Sequence, residues 1–220
     1  MSPDDVARTL SAADPRLAAV IAAAGPFEVE PTADETATAL VRSVVYQQLS
    51  GRAAATIHGR VLAAFGDGET PDPAALAAAP DEALRACGLS RAKALAVRDI
   101  AGRALDGRLP DRAHLTTLSD AEVEGALVAV RGVGPWTAQM LMMFTLGRPD
   151  VWPAADLGVQ EGYRLVSGAD ARPTAAALAA EGERYRPFRS AAAWYLWRAV
   201  DQARERLERG RAARAATGRP

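Results

Sequence analysis

Residues that favour helices run almost without interruption along this sequence. Alanine, leucine, arginine and glutamate dominate long stretches, and almost no segment alternates β-branched with polar residues as a half-buried strand does. Helix starts are marked by capping-box patterns at Thr32–Glu35 and Ser119–Glu122, and by Asp72 followed by a proline. The pattern predicts an all-α fold of about nine or ten helices, one of them over residues 73–86.

The composition is typical of an ordinary globular domain. The 220 residues are 49% apolar and 24% charged, and 26 basic side chains almost balance 27 acidic ones. With a formal charge of −1 there is no overall positive field for nucleic acid or anionic lipid, so any such binding must be local. The longest apolar run, Leu17–Ala24, is too short to cross a bilayer, and we expect a cytoplasmic protein with no membrane partner.

Three residue counts restrict the chemistry. The single cysteine, Cys87, cannot form an internal disulfide, and one thiol is too few for a zinc ribbon or a four-thiolate iron–sulfur cluster. Two histidines, His58 and His114, argue against a metal site built from side chains. All basic residues but Lys93 are arginines, so this lysine is the only side chain that could form a Schiff base.

The most informative segment is a glycine-containing break between two predicted helices, with the sequence Gly132-Val133-Gly134-Pro135. Two glycines one residue apart permit a tight reversal, Val133 can fill the space between the helices, and proline suits a helix start. The amides of the new helix suit a phosphate, bridged by a monovalent cation on backbone carbonyls near Val130 and Gly132. An ordinary turn between two helices remains the alternative.

Further along the chain, Asp156 precedes a predicted helix in the segment Trp152–Val159. An aspartate in this position is usually a plain N-cap. The order of hairpin, second helix and aspartate at the start of the next helix is more specific than any of these parts alone, which favours a functional role for Asp156.

With these features the sequence resembles the helix–hairpin–helix superfamily of DNA glycosylases, and within it the monofunctional 3-methyladenine DNA glycosylase II (AlkA-like) branch. The resemblance covers residues 38–200, which is most of the chain. Besides the hairpin, it rests on four motifs in the family's order: Val45–Ser50 with Ala53 and Ala54 behind it, Gly88–Lys93, Pro153–Gly158, and Arg186–Ser190 leading into Trp194–Trp197.

The resemblance implies a two-lobed all-α fold without the N-terminal β domain of some larger relatives. Residues 1–39 are expected to pack with the C-terminal lobe, and residues 40–149 to form the helical lobe that carries the hairpin. Residues 150–209 are expected to form the C-terminal lobe with the catalytic aspartate, and residues 210–220 a mobile basic tail.

The resemblance also implies an enzyme of base excision repair that hydrolyses the N-glycosidic bond of alkylated purines flipped out of duplex DNA. Expected substrates are 3-methyladenine and 7-methylguanine, with 1,N6-ethenoadenine and hypoxanthine as further candidates. Asp156 matches the catalytic aspartate, whose carboxylate would stabilise positive charge on the deoxyribose and orient or deprotonate water. Bifunctional relatives place a lysine just after the hairpin, where this chain has Trp136 and Thr137, so an abasic site without strand cleavage is expected.

A cofactor is not expected, apart from the structural monovalent cation at the hairpin. The chain has one cysteine, which is too few to bind the iron–sulfur cluster of the endonuclease III and adenine-mismatch branches. Two alternatives remain open: a non-catalytic helix–hairpin–helix protein that binds damaged DNA, and a glycosylase for oxidised or mismatched bases. We expect a monomer that acts on duplex DNA in the cytoplasm, associated with the nucleoid.

Aromatic side chains are expected around the extracted base, because a purine alkylated at N3 or N7 is cationic and stacks on electron-rich rings. From the family match, Trp136 and Trp197 are placed in the pocket wall, with Tyr46 and Trp152 as further members. Trp194 and Tyr195 are interpreted instead as core anchors of an amphipathic helix. The chain departs from the family pattern with Tyr185 in place of a tryptophan and with Met140 in place of an aromatic residue, and both departures affect substrate range.

A loop must fill the gap that the extracted base leaves, and the segment Gln47-Gln48-Leu49-Ser50 matches it by position. Gln48 and Leu49 are the candidates for this wedge, and a glutamine pair bonded to the backbone is the competing account. The remaining predicted DNA contacts are Gly132, Val133, Gly134, Pro135, Thr137 and Arg189.

Overall fold

The structure, a computed structural model, describes the backbone of residues 2–216 and the side chains up to residue 212. This part of the chain contains thirteen α-helices and two short 3-10 helices, and it contains no β-strand. The predicted all-α class is therefore confirmed. No helix within the described residues is both long enough and apolar enough to cross a bilayer.

The α-helices in chain order are α1 (Pro3–Ala13), α2 (Ala18–Ala24), α3 (Thr36–Tyr46), α4 (Gly51–Phe65), α5 (Pro73–Ala78), α6 (Asp81–Ala86), α7 (Arg91–Leu105), α8 (Arg112–Thr117), α9 (Asp120–Val128), α10 (Pro135–Phe144), α11 (Leu157–Ser167), α12 (Ala175–Gly182) and α13 (Arg189–Ala216). The 3-10 helices cover Pro15–Leu17 and Glu183–Tyr185.

The structure has three more helices than predicted, and each has a local cause. The predicted helix over 73–86 is two helices, since Pro80 cannot donate a backbone hydrogen bond and α6 begins after it. The short helices α8 and α12 were not predicted, because six and eight residues carry little periodic signal. Helix α13 continues to Ala216, so residues 210–216 are helical rather than the start of a tail. Residues 217–220 of the predicted tail lie outside the described residues.

Two of the three predicted helix starts are present as expected. Ser119 accepts from the amide of Glu122 while the Glu122 carboxylate accepts from the amide of Ser119, and Asp72 caps α5. The capping box predicted at Thr32 is wrong: α3 begins at Thr36 with Glu35 as its N-cap residue. The Thr32 amide donates instead to the carbonyl oxygen of Phe144 at 2.9 Å, which ties it to the end of α10.

The chain divides into two compact units. The central unit comprises residues 30–147, and the terminal unit comprises the described residues up to Val29 together with those from Arg148 onward. The predicted division placed residues 30–39 with the C-terminal lobe. They belong to the central unit, because α3 packs against α4, α7 and α10.

Helix α7 is the centre of packing in the central unit. It contacts α3, α5 and α6, and its buried residues Ala94, Val97 and Ala101 recur three to four positions apart. Ala94 and Ala101 are small, so neighbouring helices can approach this face closely.

Near the same helices, the chain's only thiol is 6% exposed. The Sγ of Cys87 lies 3.7 Å from the carbonyl oxygen of Arg60, and burial raises the pKa of Cys87.

In the terminal unit, α11 and α13 make the most extensive helix pair. Gly162 lies where the two helices cross, and a Cβ there would come within 2.1 Å of the carbonyl oxygen of Leu196. Glycine is therefore required by the close approach of the two backbones. Tyr195 on α13 is fully buried and donates to the carbonyl oxygen of Gly25 at 3.1 Å, as expected for a core anchor.

A buried carboxylate joins the first helices of the terminal unit to its later part. Asp14 is 2% exposed and accepts hydrogen bonds from the Arg16 guanidinium and from the Tyr185 hydroxyl, each at 2.7 Å. Burial by itself raises the pKa of Asp14, but the hydrogen bonds from Arg16 and Tyr185 outweigh it and the net pKa is lowered. Tyr185, which was expected to affect the substrate range, is 1% exposed and serves instead as a buried donor to Asp14.

Replacement of Asp14 by asparagine should flatten the pH dependence of stability in acid. A folded-state pKa below the unfolded value stabilises the protein above the unfolded pKa, and this contribution is lost as the pH falls through the folded pKa. At neutral pH the free energy of unfolding of Asp14→Asn should therefore be about 1–3 kcal/mol lower than that of the wild type. As the pH falls from about 5 to about 3, the free energy of unfolding should decrease less in the variant than in the wild type. Urea unfolding across this range measures both, and parallel stability curves would contradict the account.

Candidate functional site

Asp156 is the N-cap residue of α11. Its Oδ1 accepts hydrogen bonds from the Val159 amide and from the Trp197 indole Nε1, each at 2.8 Å. The first bond is the ordinary capping bond, whereas the second comes from α13 and orients the carboxylate from outside its own helix. The N-terminus of a helix also favours a negative charge. The N-cap reading and the functional reading are therefore compatible in this residue.

Gly158 makes this arrangement sterically possible. A Cβ at Gly158 would lie 2.8 Å from Cδ1 of Trp197 and 3.0 Å from Oδ1 of Asp156. Any side chain would therefore displace the indole from the carboxylate. Both residues are half-buried, so the terminal unit holds an oriented, partly exposed carboxylate with an aromatic ring beside it. Such a group can stabilise positive charge or accept a proton from water.

Trp152 and Arg189 have partners within the terminal unit, contrary to the roles predicted for them. Trp152 is 9% exposed, donates through Nε1 to the carbonyl oxygen of Leu178 at 2.8 Å and packs against Tyr185. This is the environment of a core residue and argues against stacking on a base. The Arg189 side chain is 15% exposed and binds both carboxylate oxygens of Asp150, so its charge is neutralised inside the unit rather than offered to phosphate.

The predicted tight hairpin is present in the central unit between α9 and α10. Gly132 has a φ of 78°, which favours glycine, and Val133 is 6% exposed between the helices. The N-cap residue of α10, Gly134, has no side chain to fold back onto the amides of the helix start. The Val130 carbonyl accepts from the Val133 amide at 3.1 Å. A carbonyl oxygen has a second lone pair, so the predicted cation remains a prediction.

The predicted wedge loop has one inward side chain, that of Gln47, and three exposed residues. Gln48 is exposed with a φ of 57°, and Leu49 is 40% exposed. Gln47 points the other way: its Nε2 donates to the Gly132 carbonyl at 3.0 Å and to Thr137 Oγ1 at 3.2 Å. Gln47 thus fits the account of a glutamine bonded to the backbone, and the wedge role of Gln48 stays a prediction. Thr137 is 3% exposed and its hydroxyl accepts from Gln47, so its side chain is engaged within the unit, and the predicted contact with DNA stays a prediction.

Ser50 ends the wedge loop as the N-cap of α4. The Ser50 Oγ accepts from the Ala53 amide at 3.4 Å, and Ser50 is exposed. The capping bond fixes the direction in which α4 leaves the loop, so Ser50 has a structural role at the position predicted for a DNA contact. A contact of the exposed hydroxyl with DNA stays a prediction.

A cavity of about 400 Å³ opens beside the hairpin, within the central unit. Tyr46 and Trp136, both predicted from the sequence, line it, and Trp136 is 45% exposed. Met140, a departure from the family pattern, also lines it and so influences its shape. The remaining lining residues are Thr32, Asp34, Ala39, Arg42, Ser43, Gln47, Thr137, Leu141, Phe144 and Thr145.

An arginine and a histidine side chain flank the Tyr46 ring. The Arg42 guanidinium lies 5.6 Å from its centroid, and His58 approaches it edge-on at 6.0 Å between centroids. Burial and then the Arg42 charge lower the pKa of His58, whereas Asp34 acts in the opposite direction. The lowered pKa favours the neutral form of the imidazole, so Arg42 and Asp34 are the charged groups near this aromatic wall.

Sequence reasoning missed two charged residues of the cavity. Arg42 lies four residues before Tyr46 on α3, so helical spacing could have found it once Tyr46 was chosen. Asp34 lies before α3 begins and carries no local signal of its position. Among the described residues that line the cavity, Asp34 supplies the only carboxylate.

Most of the sequence matches a known protein family. The family model described as HhH-GPD superfamily base excision DNA repair protein matches residues 41–187. A relative from Schizosaccharomyces pombe, DNA-3-methyladenine glycosylase 1, is 37% identical over 159 residues, which are 72% of this chain and 70% of that protein.

Solved structures agree with the family match. The Schizosaccharomyces pombe 3-methyladenine DNA glycosylase Mag1, in complex with abasic DNA, aligns with a TM-score of 0.81 and 33% identity over 88% of this chain and 95% of that one. DNA-3-methyladenine glycosidase from Bacillus halodurans aligns with a TM-score of 0.79 and 36% identity over 91% of each chain. The resemblance expected from the motifs is thereby confirmed, and the chain belongs to the HhH-GPD superfamily of base excision DNA repair proteins.

Proposed function

We propose that the protein is a DNA glycosylase that removes alkylated purines from duplex DNA and leaves an abasic site without a lyase step. The observation that carries this proposal is the Asp156 carboxylate, held by the Val159 amide and the Trp197 indole. The relatives named 3-methyladenine DNA glycosylase support the substrate class. The residues just after the hairpin, where bifunctional relatives have a lysine, are Trp136 and Thr137 in this chain. Thr137 is neither a lysine nor exposed, which supports a reaction without a lyase step.

The chemistry requires stabilisation of a positive sugar. When the C1′–N bond of a cationic alkylpurine breaks, its electron pair passes to the base, which leaves as a neutral molecule. Positive charge then develops on the deoxyribose, and an ionised Asp156 would stabilise it electrostatically. Water adds to C1′ and loses its proton to the carboxylate or to solvent. Because the leaving base becomes neutral, the reaction does not need a general acid.

The central cavity supports the choice of an alkylated base. Tyr46, Trp136 and Phe144 provide aromatic faces, and Asp34 provides a negative charge. Stacking on a ring and attraction by the Asp34 carboxylate favour a cationic base over a neutral one, whereas the Arg42 guanidinium on the same lining opposes that attraction. We propose that this cavity receives the flipped base.

The remaining proposals concern the DNA. We infer that the amides at the start of α10 bind a backbone phosphate, with a monovalent cation as the bridge, and that Gln48 and Leu49 fill the gap in the stack. The abasic DNA bound by the related Mag1 supports DNA as the partner. We further propose that the protein works as a monomer, in the cytoplasm, on nucleoid DNA.

Release of free base from methylated duplex DNA tests the proposed function. Chromatography should detect 3-methyladenine or 7-methylguanine, and the strand should stay uncut until alkali is added. Preferential release of 8-oxoguanine or thymine glycol would assign the protein to oxidised bases. Tight binding to abasic DNA without release of any base would identify a non-catalytic binding protein, and both results contradict the proposal.

Replacement of Asp34 by asparagine should reduce the preference for cationic bases. A partly exposed charge contributes about 0.5–1 kcal/mol, so the ratio of 7-methylguanine release to hypoxanthine release should fall by about twofold to fivefold. The matched control is Glu35→Gln, which removes a neighbouring exposed carboxylate that does not line the cavity. An equal change in both variants would mean that the ratio follows overall charge rather than the cavity.

A further inference from the structure

The only lysine of the chain binds the backbone where α3 ends. Lys93 Nζ donates to the carbonyl oxygen of Val45 at 2.7 Å and to that of Gln47 at 2.8 Å. The last carbonyls of a helix lack amide partners within the helix and carry partial negative charge, so an ammonium group satisfies both requirements. Lys93 is thus a cap of α3 that another helix supplies.

The turn that follows these carbonyls is strained. Gln48 has a φ of 57°, and a residue with a side chain seldom adopts this left-handed conformation unless its surroundings enforce it. Lys93 binds the Gln47 carbonyl, which belongs to the peptide group immediately before Gln48. It therefore restrains the peptide group that leads into the exposed residues Gln48 and Leu49.

The same helix, α7, also holds the hairpin. The Asp99 carboxylate accepts from the Arg131 amide at 2.8 Å, and the Cβ of Ala96 lies 3.0 Å from the position of a Cβ at Gly132. Gln47 closes the connection, since its side chain donates to the Gly132 carbonyl. Successive turns of one helix thus fix the wedge loop and the hairpin relative to each other.

We propose that Lys93 is a positioning residue that holds the Gln48–Leu49 turn ready to enter the DNA stack beside the bound hairpin. The inference rests on the proposed function, because it assigns a role to Lys93 in extrusion of the base. It uses the ammonium group as a hydrogen-bond donor and not as a nucleophile. Lowering of the Lys93 pKa by burial agrees with an ammonium withdrawn from solvent.

The decisive variant is Lys93→Met, which keeps the length of the side chain and removes the donor. Two lost charge-assisted hydrogen bonds should slow single-turnover release from a paired duplex by about tenfold to a hundredfold. Release of the same base from a bulge, where extrusion is easier, should change far less. Lys93→Arg restores a donor and should recover part of the rate.

Arg98→Met is the matched control. Arg98 lies on the same helix and its guanidinium also binds a backbone carbonyl, that of Ala79 at 2.7 Å, but far from the wedge loop in the sequence. It should leave the ratio of paired to bulged release unchanged. If both variants lower the two rates equally, Lys93 only stabilises the fold and the proposal is wrong.

Hydrogen exchange of the amides of residues 47–50, measured without DNA, separates this proposal from the proposed function. Exchange should accelerate in Lys93→Met and not in Arg98→Met. Unchanged exchange together with an unchanged paired-to-bulged ratio overturns the positioning role while base excision stands. Accelerated exchange in a protein that releases no base overturns base excision, and with it the proposed role in base extrusion.

Discussion

Asp156→Asn is expected to slow release of base from methylated duplex DNA by about a hundredfold to a thousandfold without loss of the fold. Asparagine is as good an N-cap as aspartate, and its oxygen can still accept from the Val159 amide and the Trp197 indole. The substitution therefore removes the charge and keeps the geometry. Single-turnover kinetics measures the loss, and the melting temperature checks the fold.

Asp111→Asn is the control for the capping role. Asp111 is the N-cap residue of α8, and its Oδ1 accepts from the His114 amide at 2.7 Å, much as Asp156 does at α11. This variant should excise bases at the wild-type rate. If Asp156→Asn also does so, Asp156 is a helix cap and another group must supply the charge.

Gly162→Ala is expected to destabilise the terminal unit by about 1–3 kcal/mol or more. Its Cβ would meet the Leu196 carbonyl oxygen at 2.1 Å, and a backbone atom cannot rotate away as a side chain can. Helices α11 and α13 must therefore separate. Since the bond between Trp197 and Asp156 joins the same two helices, excision should fall together with stability.

Gly125→Ala provides the comparison for this prediction. Gly125 lies within α9, and apart from its chain neighbours and the backbone of its own helix no atom comes within 4 Å of a Cβ placed there. Alanine is the better helix former by about 0.5–1 kcal/mol, so this variant should be more stable than the wild type. Urea unfolding measures both changes, and a stable Gly162→Ala variant would contradict the described crossing of the helices.

Sequence reasoning succeeded where the signal is local. The Ser119 and Asp72 caps, the turn at Gly132 and the N-cap position of Asp156 each depend on residues within a few positions. Steric rules and hydrogen bonding in such short segments leave few alternatives. The helical class follows for the same reason, since it sums many local preferences.

The remaining features depend on partners that are distant in the sequence. Lys93 reaches carbonyls 46 and 48 residues away, and Gln47 reaches Gly132 across 85 residues. Arg189 has the character of a phosphate ligand until Asp150, 39 residues earlier, is found beside it. No local pattern distinguishes a surface charge from one that is neutralised by a distant carboxylate.

The environment of Cys87 affects how the protein would tolerate the agents that damage DNA. Methylating agents attack sulfur mainly as the thiolate, and a buried thiol with a raised pKa is seldom deprotonated or reached. Aliphatic amines react by the same rule only when they are free and unprotonated, and the Lys93 nitrogen is engaged with two carbonyls. Neither the thiol nor the lysine is therefore readily available to an electrophile.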